Sequence, residues 1–455
     1  MKKILLLHPP RYLQKIGGGF FAAFNLIRHN RGVDRLPGVT PPTELALLAT
    51  VLSTCYTVEV LDANALNLLP REVFRKIRSS APDMVIIRAG DSTFIEDIAY
   101  YYFSEGIGIP AIVWENHLSF MFAERMQREF GIKRLLGGDP EQIVFDCIES
   151  GAEGYFYGEP FDIASLPSVR LDLLPVDRYL YENRRVWFVE QSRGCGWGKC
   201  TFCMRSRPGA NMLSYRSLTV IEEELKSAAK HGIEHIFFWG DDLNSSQERL
   251  ESIVALMGKM NFSWECWMRA SGIDGTVLRA MKKSGCERIT FGVENGMQEV
   301  LDRLEKGIAV DDVPRVFRAC RRVGIRPVAS LFIGSPHETP ESLKKTWSLV
   351  KALRPEQILI SCYRPFAETK LFKEARRERL LTADLFETAI NDGFFGGDAF
   401  IGSRNMTREE IEHWYRRFSR LATVLSFRNY LVQPAKWIYA FKQLLLKVVR
   451  EYRND

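Results

Sequence analysis

No stretch of this sequence is long and apolar enough to cross a bilayer, which takes about 20 consecutive apolar residues. The opening Met1-Lys2-Lys3 with Ile4-Leu5-Leu6-Leu7 is too short for a signal peptide. His8, Pro9 and Pro10 end it, so it reads as a first β-strand. Internal repeats and low-complexity tracts are lacking. Charge of one sign is never concentrated: 62 Lys and Arg against 56 Asp and Glu leave +6 over 455 residues. That balance argues against nucleic acid as a partner but leaves room for an anionic substrate or a membrane surface. The nine cysteines form no evenly spaced framework; Cys55, Cys147, Cys266, Cys286, Cys320 and Cys362 are scattered. A secreted disulfide scaffold is therefore not expected, and a reducing cytoplasm is the expected location. No strand is followed by G-x-G-x-x-G, which argues against a nicotinamide cofactor.

What is there reads as a folded globular chain, 46% apolar and 26% charged. Its length implies two or three domains. The N-terminal part alternates short apolar runs with helical patterns: strands at 4–7, 58–61, 84–87 and 111–114, helices at 43–53, 71–78 and 120–130. This alternation predicts a doubly wound, Rossmann-like parallel α/β sheet over 1–150. Ligands of such sheets sit beyond the carboxyl ends of the strands. Those ends carry Pro9 and Pro10; Asp62, Ala63 and Asn64; Ala89, Gly90, Asp91 and Ser92; and Glu115, Asn116 and His117. Gly137 and Gly138 end a further apolar stretch and open a helix, and Gly17-Gly18-Gly19 reads as a flexible loop over the site. Residues 151–185, rich in Pro, Gly and Asp, read as a linker.

A second alternating series spans 186–381, with strands at 186–190, 235–239, 264–268, 289–293, 327–333 and 357–361 and helices between them. Six such units predict a partial (β/α)6 TIM-type barrel with its site at the carboxyl ends of the strands. The remainder, 382–455, reads as a small, mostly helical region whose aromatic and basic end, 429–453, caps the barrel or touches a membrane surface peripherally.

Just after the first barrel strand come Cys195, Cys200 and Cys203, on a loop that also holds Gly194, Gly196 and Gly198. The glycines let the backbone fold tightly enough for three thiolates to converge, and a [4Fe-4S] cluster needs thiolate ligands. Three thiolates leave one iron open to an amine and a carboxylate. A structural zinc would need four ligands in paired spacing. No second C-x-x-C is present, and His231, His235 and His337 show no matching spacing. A non-catalytic, zinc-stabilised binding protein stays as the alternative from another class.

The triad, with the hydrophobic Phe202 ahead of the third cysteine, resembles the signature of the radical S-adenosylmethionine (SAM) superfamily. Relatives have three residues between the first two cysteines; this chain has four, 196–199. Further motifs follow in the superfamily's order. Trp239, Gly240, Asp241 and Asp242 resemble the turn that binds the SAM amino group. Glu294, in Phe291-Gly292-Val293-Glu294-Asn295-Gly296, resembles the fourth-strand acceptor for the ribose or the methionyl amine, and Ile333 the fifth-strand contact to adenine. Arg269, ending the third strand, is a candidate partner of the SAM carboxylate, with a structural ion pair as the alternative. Tyr363 and Arg364, ending the sixth strand, are the candidates for meeting substrate in catalysis.

The N-terminal domain resembles the cobalamin-binding domain of one radical SAM class, which includes the anaerobic Mg-protoporphyrin ester cyclase and many C-methyltransferases. The resemblance rests on residues 40–52, which carry Glu44, the run Val60-Leu61-Asp62-Ala63-Asn64-Ala65-Leu66, and the turn at 137–141. It makes Glu44 and the strand-end residues above the expected cobalamin contacts. The Asp-x-His-x-x-Gly motif that supplies a lower axial histidine elsewhere is absent. The resemblance implies three cofactors, a [4Fe-4S] cluster, SAM and cobalamin, and methyl transfer to an unactivated carbon by way of a 5′-deoxyadenosyl radical. Cyclisation, ring contraction or oxidation on the same architecture is the alternative. The implied partners are a small-molecule, peptide or lipid-like natural-product substrate and an electron donor such as flavodoxin or ferredoxin.

Overall fold

The computed structural model describes residues 1–10, 38–91, 93–182, 184–364, 366–381, 384–392 and 402–431. The Gly17-Gly18-Gly19 run, Ser92 and nearly all of 429–453 lie outside the described residues.

The N-terminal sheet has six parallel strands. They are β1 (Lys3–His8), β3 (Thr57–Asp62), β4 (Met84–Arg88), β5 (Ala111–Trp114), β6 (Arg134–Gly138) and β7 (Gly154–Gly158), in the order β3-β1-β4-β5-β6-β7. A parallel sheet covered on both faces needs apolar residues at successive positions. Ile4 and Leu6 pack into one core with helices α1 (Thr43–Leu52) and α5 (Pro140–Glu149), whereas Leu5 and Leu7 pack into the other. Helices α2 (Pro70–Ser80), α3 (Phe94–Gly106) and α4 (Leu118–Phe130) cover that second face. Every residue from Leu45 to Thr50 is buried, because α1 also sends Ala46 and Leu47 into the core of the second domain.

Two features depart from the sequence reading. Helix α3 was not anticipated. The stretch 151–185 is no mere linker: β7 forms the sixth strand, and Ile163, Leu166, Val169, Leu171, Leu174 and Tyr179 enter the second domain's core.

The second sheet carries the six expected parallel strands: β9 (Arg184–Glu190), β12 (His235–Trp239), β13 (Ser263–Met268), β14 (Cys286–Glu294), β15 (Arg326–Ile333) and β16 (Ile358–Cys362). The short antiparallel strands β2 (Gly38–Val39) and β8 (Leu180–Tyr181) extend it beyond β9, so it is an open, curled half-barrel; β10 (Ser192–Arg193) and β11 (Ser214–Tyr215) pair as a separate antiparallel ribbon. A buried charge cluster lies at the amino end of the strands, where Arg288 bridges Glu265 at 3.2 Å and Glu182 at 2.9 Å. His235 lies 3.3 Å from Glu265, and burial pushes its imidazole down to about 3.

The described part of 382–455 is mostly helical, and its described buried side chains join the cores of the two domains. Helix Leu385–Asp392 inserts Phe386, Ala389 and Ile390 into the N-terminal domain, while helix Arg408–Leu431 lays Ile411, Trp414 and Phe418 against the half-barrel. No helix of the described residues is long and apolar enough to cross a membrane.

Candidate functional site

Loops at the carboxyl ends of the two sheets meet. The Arg193 guanidinium, after β9, reaches Glu141 in the first turn of α5; Arg207 stacks on Phe120 of α4; and His117, after β5, approaches Phe366. The cysteine loop lies at this junction.

The loop's shape follows from its own sequence. Gly194 (φ +84°) and Gly198 (φ +59°) take left-handed turns that favour glycine. The Asn211 amide grips Cys195 from both sides: its Oδ1 accepts from Cys195 N at 2.8 Å and its Nδ2 donates to Cys195 O at 2.9 Å. Ser245 Oγ accepts from Gly196 N at 3.0 Å. The four-residue spacer carries Trp197, whose indole donates to Glu305 O at 2.7 Å and lies under Arg269, 4.5 Å from the ring centre. Gly307 (φ +65°) gives that ring its seat, since a Cβ there would overlap it.

The three thiols influence one another electrostatically. Burial pushes the Cys203 thiol up to about 12 and raises that of Cys200, which Lys306 and Arg269 pull back. Buried thiols with cationic neighbours suit a metal centre that takes up their charge as they deprotonate. Among the described residues no three His, Cys, Asp or Glu side chains are grouped to hold a metal ion.

The barrel residues singled out from the sequence stand around this loop. Asp241 pairs with Arg205 at 2.8 Å. Gly240 (φ +153°) leaves the turn close to Ser192, and Trp239 stacks on Phe188 at an interplanar angle of 10°. Burial pushes the Asp242 carboxyl up to about 6, against the pull of Arg269. Its Oδ2 accepts no hydrogen bond among the described residues; Arg269 Nε stands 4.0 Å away. A buried carboxylate oxygen without a donor suits a ligand that brings an ammonium group. Arg269 itself donates to the carbonyls of Lys306 (2.8 Å) and Gly307 (3.1 Å).

Glu294 has φ +59°, where the pairing of β14 with β15 slips between Gly292 and Glu294. A non-glycine residue held there costs about 1–3 kcal/mol, and such strain clusters at functional sites. Glu294 Oε1 accepts from Lys306 Nζ at 2.7 Å, and both side chains are about 10% exposed. Lys306 was not named from the sequence. Burial would lower its pKa, but Glu294 and Cys200 more than offset this and hold the ammonium above its usual range.

Some expectations need correction. Ile333 lies in the core with Leu331, Ile411 and Phe418, on the side away from the cysteine loop, because neighbouring strand residues alternate in direction. Phe332 faces the loop instead, 4.6 Å from Phe202 and 5.9 Å from Tyr363 between ring centres. Tyr363 and Arg364 are both about 4% exposed, so neither presents an open face in this state. In the N-terminal sheet, Asp62 is fully committed to the framework: it accepts from Ala65 N (2.9 Å) and the Tyr179 hydroxyl (2.8 Å) and pairs with His8 (3.0 Å). Glu115 accepts from His117 N (2.9 Å) and Ser119 N (2.6 Å) at the start of α4. Ala63 and Ala89 are core residues, and Gly137 and Gly138 are close-packed against Ser119, Tyr155 and Gly158.

Pro9 and Pro10 are buried. Glu44 is about half exposed (48%) and pairs with Arg88 at 2.9 Å; despite the neighbouring domain's partial shielding, Arg88, His117 and Arg193 hold its carboxyl below the usual range. Gly90 N donates to Asp97, Asn116 accepts from the Trp114 indole at 2.8 Å, and Asp91 lies 3.9 Å from His117. Asn64, Asp91, Asn116 and His117 are half-buried at the carboxyl ends of the strands, where they bring amide, carboxylate and imidazole groups.

Residues 189–350 match the family model of the radical SAM superfamily. This segment belongs to the radical SAM superfamily. Among relatives of this chain, an uncharacterized methyltransferase of Pyrococcus horikoshii is 25% identical over 77% of this chain and 82% of its own length. The anaerobic magnesium-protoporphyrin IX monomethyl ester cyclase of Cereibacter sphaeroides is 22% identical over 76% of this chain and 62% of its own. Among solved structures, the radical SAM methyltransferase TsrM of Kitasatospora setae, with cobalamin and a [4Fe-4S] cluster bound, superposes with a TM-score of 0.64 over 84% of this chain and 79% of its own, at 18% identity. The cobalamin-dependent radical SAM enzyme OxsB, with aqua-cobalamin and SAM bound, gives 0.59 over 92% and 61%, at 16% identity. These likenesses establish the fold: a six-stranded, Rossmann-like parallel sheet followed by a curled half-barrel.

Proposed function

We propose that this protein is a cobalamin-dependent radical SAM methyltransferase acting on an unactivated carbon. The observation that carries the reading is the three-thiol loop at the barrel mouth, with a donorless Asp242 oxygen and the Glu294–Lys306 pair beside it. Cys195, Cys200 and Cys203 would hold the cluster. Asp242 would receive the methionyl ammonium, Arg269 would face the carboxylate, and Glu294 would accept from the ribose or the amine. Phe332, in place of Ile333, is the apolar neighbour on this side of β15. Asn64, Asp91, Asn116 and His117 would meet the amide-rich rim of a corrin at the edge of the N-terminal sheet. When bound, the cluster supplies the electron that opens SAM, and cobalamin supplies the methyl group; the protein's part is to orient these groups and exclude water.

The test is turnover of anaerobically reconstituted protein with SAM bearing a deuterated methyl group. Label in the product supports methyl transfer. SAM cleavage with an unlabelled product favours the cyclase reading, which the magnesium-protoporphyrin ester cyclase relatives support. Zinc at one equivalent with no iron–sulfur signal would overturn both.

A further inference from the structure

Arg207 lies four residues beyond the last cysteine, at the junction of the two domains. It is 8% exposed. Its Nε donates to Met204 O at 3.0 Å, which fixes the plane of the guanidinium. One face lies on Phe120, 3.6 Å from the ring centre, and the guanidinium donates a hydrogen bond to the Tyr157 hydroxyl. Phe120 and Tyr157 are ring neighbours at 5.8 Å, and Tyr155 continues the wall at a further 5.8 Å. Nη1 is buried and has no acceptor among the described residues.

A buried guanidinium N–H without an acceptor is costly, and a planar fork held against aromatic rings is set for a planar anion. We propose that Arg207 is the anion-recognising residue of the substrate pocket, and that the substrate carries a carboxylate next to a flat apolar group that lies on the Phe120–Tyr157 wall. The assignment rests on the enzymatic reading above only for the word substrate; the anion site can be tested alone.

The probes are 2-naphthoate and its neutral isostere 2-naphthamide, titrated calorimetrically into the anaerobically reconstituted full chain. Naphthoate should bind at least tenfold more tightly than the amide, and the ratio should fall to near one in Arg207→Gln, with the cluster absorbance reporting that the variant is folded. Equal binding by the natural protein, or an unchanged ratio in Arg207→Gln, overturns the proposal. Should Arg207→Gln not fold, Arg207→Lys carries the test: it keeps the charge but loses the fork, and a ratio that does not fall at least threefold overturns the proposal. SAM cleavage by the natural protein is measured separately. Its absence alongside a clear naphthoate preference sinks the enzymatic reading and leaves the anion site standing; the converse result does the opposite.

Discussion

Arg193 holds both carboxylate oxygens of Glu141, at 3.0 and 2.7 Å, and so fastens the strand that leads into the cysteine loop to the first turn of the N-terminal domain's α5. Its Nε also donates to Glu190 at 2.9 Å, and Asp139 lies 3.4 Å away. Three carboxylates thus depend on one cation whose side chain is 9% exposed. Arg193→Ala leaves Glu141 and Glu190 as buried, unpaired charges, a loss of about 3–5 kcal/mol. Denaturant unfolding at neutral pH should show it. A loss below about 1 kcal/mol would mean that water replaces the guanidinium and that the junction is not held by this contact.

Lys306 is expected to tune the metal centre electrostatically. Its ammonium neutralises Glu294 next to Cys200, so Lys306→Met leaves net negative charge beside the thiolates. Charge near an iron–sulfur cluster sets its reduction potential, and added negative charge makes reduction harder. The midpoint should fall by on the order of tens of millivolts, read by EPR-monitored titration. An unchanged midpoint would show that Lys306 lies outside the cluster's field.

The half-barrel was legible because each of its strands is a short apolar run bounded by turn residues, and the intervening helices keep a clear 3.6-residue period. The strand Gly154–Gly158 was not: three aromatics between glycines offer no alternation, and only pairing with Arg134–Gly138 makes them a strand. Helix Phe94–Gly106 has aromatic and apolar residues on most of its faces, which blurs its period. Site parity failed at Ile333 for a related reason. Phe332 and Ile333 are both buried, on opposite faces, so hydrophobicity alone cannot say which faces the mouth. Asp62 misled because one of its partners, Tyr179, lies 117 residues away, and a non-local hydrogen bond leaves no mark in the local sequence.

Cys200→Ala should abolish SAM cleavage and leave the protein folded. Cys200 is packed at the rim of the site, while the loop's anchors, Asn211 on Cys195 and Glu305 on Trp197, do not depend on its sulfur. Iron content, cluster absorbance and 5′-deoxyadenosine formation provide the measure. Retained cleavage would remove Cys200 from the ligand set and with it the three-thiol reading.

The raised carboxyl of Asp242 gives SAM binding a predicted pH dependence. Its folded value of about 6 lies above the ordinary 3.8, so ionisation costs the unliganded fold, and stability falls as pH rises between those values. A methionyl ammonium against Oδ2 favours the ionised form. SAM affinity should therefore climb by up to about tenfold per pH unit below 6 and level off above it. Lys306, whose ammonium is held above its usual range, stays charged across this window and contributes no slope. Asp242→Asn should bind SAM more weakly at pH 7.5 and show a flat profile from pH 5 to 8, measured by anaerobic calorimetry on reconstituted protein. If the natural protein binds SAM equally well at pH 5 and pH 7, the ammonium rests elsewhere, and Asp242 is a buried acid that caps the turn after β12 and does nothing more.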